Sequence, residues 1–310
     1  MKSLETMLRE GLAAPQKRVP SPLLYDALGS VLFEAITLLP EYGVTRADNR
    51  MLQASAREAL AAVPGPLELI ELGPGHGNKA QLIVRQVLKL QPKVRFIGVD
   101  VSAGALEGCR KALSVPGVEF VGVEARFRDA LKALPPRPAG HRRVVCFLGS
   151  NLSNFDRAES QDFLVRVRAA LEPGDALLLT ADLDKPKERL LPAYDDALGV
   201  TAAFNKNVLV HLNRDWGANF DLTAFVHDAR WNAEARRIEM HLRATRPVVA
   251  RIAKFDLEVK LAVGETLWTE SSHRFEVAEL EAWGRAAALP LERVSVDTEW
   301  PLMVGLFVAR

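Results

Sequence analysis

Cysteine is nearly absent from this chain of 310 residues: Cys109 and Cys146 are the only two, and both fall inside apolar patterns. That excludes a disulfide framework, and no Cys/His spacing has the form of a zinc site, so no metal is expected. A dominant charge is missing too. The 40 Lys and Arg residues against 39 Asp and Glu leave a formal net charge of +1, which argues against a protein built to bind a phosphate backbone; no nucleic-acid partner is expected. Nowhere do about 18 apolar residues run uninterrupted, so a spanning helix and a membrane partner are not expected either. The opening MKSLETMLREGL reads as a short amphipathic helix without the apolar run of a signal peptide. The expectation is a soluble, cytoplasmic, monomeric protein of one large or two modest domains.

What is present is alternation. Ser21-Pro22 is a helix-start signal, a cap followed by proline, and residues 23–39 carry apolar side chains at helical spacing up to Pro40. A second helical pattern runs over 46–63. LELIEL (67–72), VRFIGVD (94–100), residues 118–123, RVVCFLG (143–149) and ALLLTA (176–181) read as strands. Helical stretches at 79–90, after Ser102, and around 163–171 separate them. Strands and helices taking turns in this way imply a parallel sheet covered on both faces. After Asp182 the character changes: IEMHLR (238–243) and KFDLEVKL (254–261) alternate with period two, as half-exposed antiparallel strands do. A helix over 277–287 leads to two last strands, 291–297 and 303–309.

ELGPGHGNK (71–79) follows the first parallel strand. Gly73, Gly75 and Gly77 stand at every second position, where the backbone must turn tightly beneath a ligand. The third glycine is misplaced for a dinucleotide fingerprint; the spacing E-x-G-x-G-x-G instead resembles the cofactor loop of class I methyltransferases. Asp100 ends the second strand, where a carboxylate can accept hydrogen bonds from ribose hydroxyls. Its alternative role is a helix cap, for which Ser102 is better placed.

Five runs in order, YDALGSVLFEAITLLPEY (25–42), FLGSNLSNF (147–155), AYDDALGVTAAFNKNVL (193–209), WNAEARRIEMHLRA (231–244) and WTESSHRF (268–275), resemble the histidine Nα-methyltransferase family of the ergothioneine pathway. The resemblance implies an α/β fold, a class I methyltransferase Rossmann-like sheet with an inserted α+β substrate-binding domain. Residues 47–182 plus 276–310 would bind S-adenosylmethionine (SAM), and 1–46 plus 183–275 the substrate. It implies SAM-dependent methylation of the α-amino group of a small amino acid, histidine first, giving trimethylhistidine. Carried over by position, Asn154 and Tyr194 would hold the substrate carboxylate, and Tyr25 would line the acceptor amine as the catalytic residue. Tyr42 and Met240 would wall the ring pocket; Glu270 and Ser272 would grip the imidazole. Gly73, Gly75, Lys79, Asp100, Phe127 and Gly149 would contact the cofactor. An ionised Glu only accepts, while Ser donates or accepts, which suits the N–H and lone pair of a neutral imidazole. The chain departs from the family at Arg126-Phe127, where an acidic residue usually precedes Phe, at Gly43-Val44 after Tyr42, and in a glycine loop without serine. Two other readings are kept: the same fold methylating another amino acid, such as a tryptophan derivative, for which Ser272 loses its purpose, and a SAM-binding regulatory protein without catalysis.

Overall fold

The computed structural model describes residues 3–132 and 134–310. In chain order the first elements are α1 (Leu4–Ala13), α2 (Ala27–Thr37), α3 (Gly43–Ala54), α4 (Ala56–Ala61), β1 (Leu67–Leu72), α5 (Asn78–Val87), β2 (Val94–Asp100), α6 (Ala103–Ala112) and β3 (Val118–Glu124). There follow α7 (Phe127–Ala130), β4 (Arg142–Phe147), α8 (Arg157–Ala169), β5 (Ala176–Asp182), α9 (Lys187–Tyr194) and α10 (Val200–Trp216). The last are β6 (Phe225–Asn232), β7 (Arg237–Ala244), β8 (Val248–Ile252), β9 (Leu257–Leu261), β10 (Thr266–His273), α11 (Val277–Ala286), β11 (Leu291–Val296) and β12 (Leu302–Val308).

These elements form two compact units, Met1–Gly43 with Lys185–His273, and Val44–Asp184 with Arg274–Arg310. The second unit is built on a seven-stranded sheet ordered β11-β12-β5-β4-β1-β2-β3. β1 through β5 run parallel and β12 lies antiparallel between β5 and β11. Every residue of β1 and β5 is buried, as expected of central parallel strands covered on both faces. Ile70, Ile97, Val145, Leu177 and Phe307 from the sheet pack with Phe163 and Val167 of α8 and Leu280 of α11 into one core. The order reverses at β1, which pairs β2 on one side and β4 on the other. Ligands of open α/β sheets bind outside the carboxyl ends of strands at such a reversal.

The first unit has a three-stranded antiparallel sheet, β10-β7-β6, a hairpin of β8 and β9, and helices α1, α2, α9 and α10. Its core is laid down by α10, whose buried Phe204, Val208, Leu209 and Leu212 recur at helical spacing.

Three expected elements differ in extent. The helix expected over 23–39 starts only at Ala27, because Asp26 is the cap: its carboxylate accepts the Gly29 N–H at 2.7 Å. Ser21-Pro22 opens a single 3₁₀ turn, Ser21–Leu24. The helix expected over 46–63 is two, interrupted at Ser55, where φ is −114°. In 254–261 only Leu257–Leu261 is strand; Ala253–Phe255 is a 3₁₀ turn closed by Asp256 in the left-handed conformation. Among the described residues no helix is long and apolar enough to cross a membrane.

Candidate active site

The glycine loop follows β1 and turns into α5. Gly73, Gly75 and Gly77 all have positive φ, 77°, 54° and 89°, the region that excludes most side chains. Their surroundings differ. A Cβ on Gly77 would lie 3.0 Å from Cys109 Cα, so this glycine lets α5 approach α6, whereas a Cβ on Gly75 would meet nothing within 4 Å. Asp100 ties the loop down: one carboxylate oxygen accepts the Gly75 N–H at 3.3 Å and the other the Ser102 N–H at 3.0 Å. Ser102 caps α6, accepting from Ala105 N, so Asp100 is not that helix's cap.

Lys79, on the first turn of α5, reaches the loop after β4. Its ammonium lies 3.9 Å from the Asp48 carboxylate, which accepts the Gly149 N–H at 3.0 Å. Gly149 has φ 75°, and a Cβ there would stand 3.0 Å from Lys79 Nζ. Asp48 and Glu71 are both buried. Burial pushes the Glu71 carboxyl up to about 8; Lys79 works against that rise, and the Asp48 and Asp100 charges add to it. Burial likewise raises Asp48, opposed by Lys79, Thr180 and the Gly149 N–H. Glu71 Oε2 and Asp48 Oδ1 have no hydrogen-bond partner among the described residues. Neither acid was singled out from sequence, though a signal existed for both. Glu71 is, with Glu68, one of two acids in the otherwise apolar β1, and Asp48 falls on the buried stripe of α3 with Val44, Ala47, Met51 and Leu52.

The loop after β4 carries Asn154. Ser150 adopts a left-handed conformation, φ 57°, and is held there: its N–H donates to Thr180 Oγ1 at 3.3 Å, and its hydroxyl oxygen accepts the Asp182 N–H at 2.7 Å and lies 2.8 Å from Ser153 Oγ. Asn154 ends the 3₁₀ turn Asn151–Asn154 and is exposed. It does not cap α8; Asp156 and Glu159 form a capping box there. Phe127 packs with Phe147, Phe155 and Phe163, ring centroids 5.8–5.9 Å apart.

In the other unit, two of the chain's three tyrosines hydrogen-bond to Glu270 and Ser272 of β10, and the third packs against one of them. Tyr25 OH donates to Glu270 Oε1 at 3.2 Å, and Tyr194 OH lies 2.7 Å from Ser272 Oγ. Tyr42 packs edge-on against Tyr194 at 6.2 Å, and Tyr25 against Phe33 and Phe204. Met240 is buried on β7 as the register partner of Glu270. Burial pushes the Glu270 carboxyl up to about 7, with the Tyr25 hydrogen bond pulling the other way. Tyr25 is 38 % exposed as a residue, yet desolvation where its hydroxyl sits, followed by the Glu270 charge, pushes its phenol well above the usual value. It is therefore a neutral hydroxyl at physiological pH. Tyr25, Tyr42, Tyr194, Met240, Glu270 and Ser272 thus belong to one unit, while Asn154 and the glycine-loop group belong to the other.

A parallel sheet reversing at β1, a glycine loop on that strand's carboxyl end, an acid ending β2 and an antiparallel β12 define a class I SAM-dependent methyltransferase. The chain belongs to the family of histidine-specific, SAM-dependent methyltransferases, whose sequence profile matches residues 4–308. It is 43 % identical over 288 residues to the histidine N-alpha-methyltransferase of Mycolicibacterium smegmatis, covering 91 % of this chain and 88 % of that one. To the Mycobacterium tuberculosis protein of the same name it is 39 % identical over 301 residues, 96 % and 92 % of the two chains. The ergothioneine biosynthesis protein 1 of Neurospora crassa is 31 % identical over 216 residues, 68 % of this chain and 24 % of that protein.

The second unit fits the cofactor of this family. The open space over Gly75 admits ligand atoms where any other residue would place a Cβ. The unpartnered oxygens of Glu71 and Asp48, beside the Lys79 ammonium, suit a group carrying both charges.

Proposed function

We propose that this protein methylates the α-amino group of free L-histidine, three times in succession, to trimethylhistidine (hercynine), a step of ergothioneine biosynthesis. The observation that carries this reading is the pairing on β10: a buried acceptor, Glu270, and a donor-acceptor, Ser272, each hydrogen-bonded to a tyrosine. An imidazole offers one N–H and one lone pair, and a pocket with such groups discriminates against rings that leave them unpaired.

SAM supplies an electrophilic methyl on a sulfonium. The remaining work is alignment of a neutral amine, worth up to ~7–11 kcal/mol when reacting atoms are held in near-attack geometry. Glu270 and Ser272 anchor the ring, and Asn154 and Tyr194 the carboxylate. Tyr25 donates its O–H hydrogen bond to Glu270, which leaves phenol lone pairs to accept from the amine N–H and orient the nitrogen lone pair. Gly73, Gly75, Lys79, Asp100 and Gly149 would hold the cofactor, with Phe127 as a further contact. The reading includes a monomer acting in the cytoplasm on a free amino acid, with no nucleic-acid or membrane partner.

Calorimetry in the presence of S-adenosylhomocysteine tests the ring grip. Histidine is expected to bind at least about tenfold more tightly than phenylalanine, the equivalent of one lost polar pairing. Equal affinities would remove the role given to Glu270 and Ser272.

A further inference from the structure

Tyr194 lies on α9, while Glu270 and Ser272 lie on β10, some 76 and more positions later. A chain of hydrogen bonds within the same unit joins them. Between Trp268 and Glu270 the pairing of β10 with β7 slips by one residue, a β-bulge of the kind that re-aims side chains beside active sites. Thr269 is the extra residue. Its buried hydroxyl lies 2.6 Å from Asn205 Oδ1 and 2.9 Å from the Met240 carbonyl. Asn205, on α10, is wholly buried. Its amide nitrogen donates to the His241 carbonyl at 3.0 Å and lies 2.8 Å from His227 Nδ1. His227, on β6, completes the chain with Nε2 at 2.7 Å from the Tyr194 carbonyl oxygen.

Chemistry fixes each role. A carbonyl only accepts, so the amide nitrogen of Asn205 must face His241 and its oxygen must face the Thr269 hydroxyl. His227 Nδ1 is then an acceptor, and Nε2 carries the hydrogen that goes to Tyr194. With Tyr194 OH on Ser272, the circuit closes: the tyrosine is held by its carbonyl through His227 and by its hydroxyl through the strand that Thr269 anchors.

We infer that Asn205 and His227 are positioning residues that fix the two halves of the substrate grip, Tyr194 and the bulged Glu270–Ser272 segment, relative to each other. They touch no substrate and act through Tyr194 and Thr269. The inference rests on reading this site as the histidine site.

The test is steady-state kinetics of the full chain with histidine varied at saturating SAM, together with SAM affinity by calorimetry. The variants are His227→Phe, His227→Gln, Thr269→Val and, as reference, Glu270→Ala. His227→Phe is expected to raise the KM for histidine about tenfold or more, the scale of one buried hydrogen bond, with SAM affinity unchanged. His227→Gln, whose amide again offers an acceptor and an N–H donor, is expected to restore most of the loss, and Thr269→Val to raise KM in the same direction. A parallel loss of SAM affinity in His227→Phe would mean general distortion and overturn the positioning role. An unchanged KM in His227→Phe beside a raised KM in Glu270→Ala would overturn the inference and leave the substrate site standing. Unchanged KM in both would remove the ring grip itself, and the inference with it. Should His227→Phe fail to fold, the other two decide. A raised KM in Thr269→Val with near-native KM in His227→Gln supports the circuit; an unchanged KM in Thr269→Val overturns it.

Discussion

Glu270 is a carboxyl that folding makes hard to ionise. Burial lifts it from 4.5 to about 7, so the native state holds its proton over a range in which the unfolded chain has released it. Its contribution to stability is therefore fully present below pH 4.5 and is lost as pH rises through about 7, with a ceiling of about 3 kcal/mol. Glu270→Gln, which cannot ionise, should be more stable than the parent at pH 8 by up to that amount and no more stable at pH 4. Urea unfolding at the two pH values measures this, and equal stabilities at pH 8 would contradict it. The same variant should bind histidine less well, the usual exchange of stability for function in a polar site. Asn154 behaves oppositely. It is exposed and caps no helix, so Asn154→Ala should leave stability within about 0.5 kcal/mol of the parent. Turnover should fall much further than SAM affinity; unchanged turnover would remove Asn154 from the carboxylate grip.

The elements separate two uses of glycine in one loop. Gly77→Ala places a Cβ 3.0 Å from the backbone of α6 at φ 89°, and should destabilise the fold by roughly 2–3 kcal/mol from strain and overpacking together. Gly75→Ala meets no neighbour; it should cost only about 1–2 kcal/mol in stability for its backbone conformation but weaken SAM binding markedly. Thermal unfolding and calorimetry on the pair distinguish them, and a Gly75→Ala protein with native SAM affinity would contradict the cofactor reading. The strands of this unit were legible because fully buried parallel strands write themselves as apolar runs between glycine turns, as LELIEL and ALLLTA do. Helix starts were less so: Ser21-Pro22 outranks Asp26 by pattern, yet only Asp26 has its carboxylate over the Gly29 N–H. The bulge at Thr269 leaves no trace in the letters TLWTESSH, since register is a property of the partner strand. Nor does sequence alone join Tyr25 to Glu270 across 245 positions; only the family resemblance put them together. Asp48 and Glu71 were overlooked because an acid within a strand or helix reads as an ordinary surface charge until its burial is known.

At the scale of the molecule, the chain leaves the seven-stranded sheet after β5 and rejoins it before α11, and the two crossings are tied within that unit. Asp182 pairs with the wholly buried Arg274 at 3.0 Å and accepts from Trp300 Nε1 at 2.9 Å. The main chains meet through Asp184 N to Phe275 O at 3.0 Å. Arg274→Ala would strand a buried carboxylate and should cost about 3–5 kcal/mol in urea unfolding; a loss under about 1 kcal/mol would show that the pair is solvated in solution. The central expectation is that this protein passes a methyl group from SAM to the α-amino group of histidine. Mass spectrometry of the purified protein incubated with SAM and each free amino acid in turn tests that most directly. Histidine products heavier by one, two and three methyl groups are expected, with no comparable product from the other amino acids; methylation of a different amino acid, or of none, would contradict this reading.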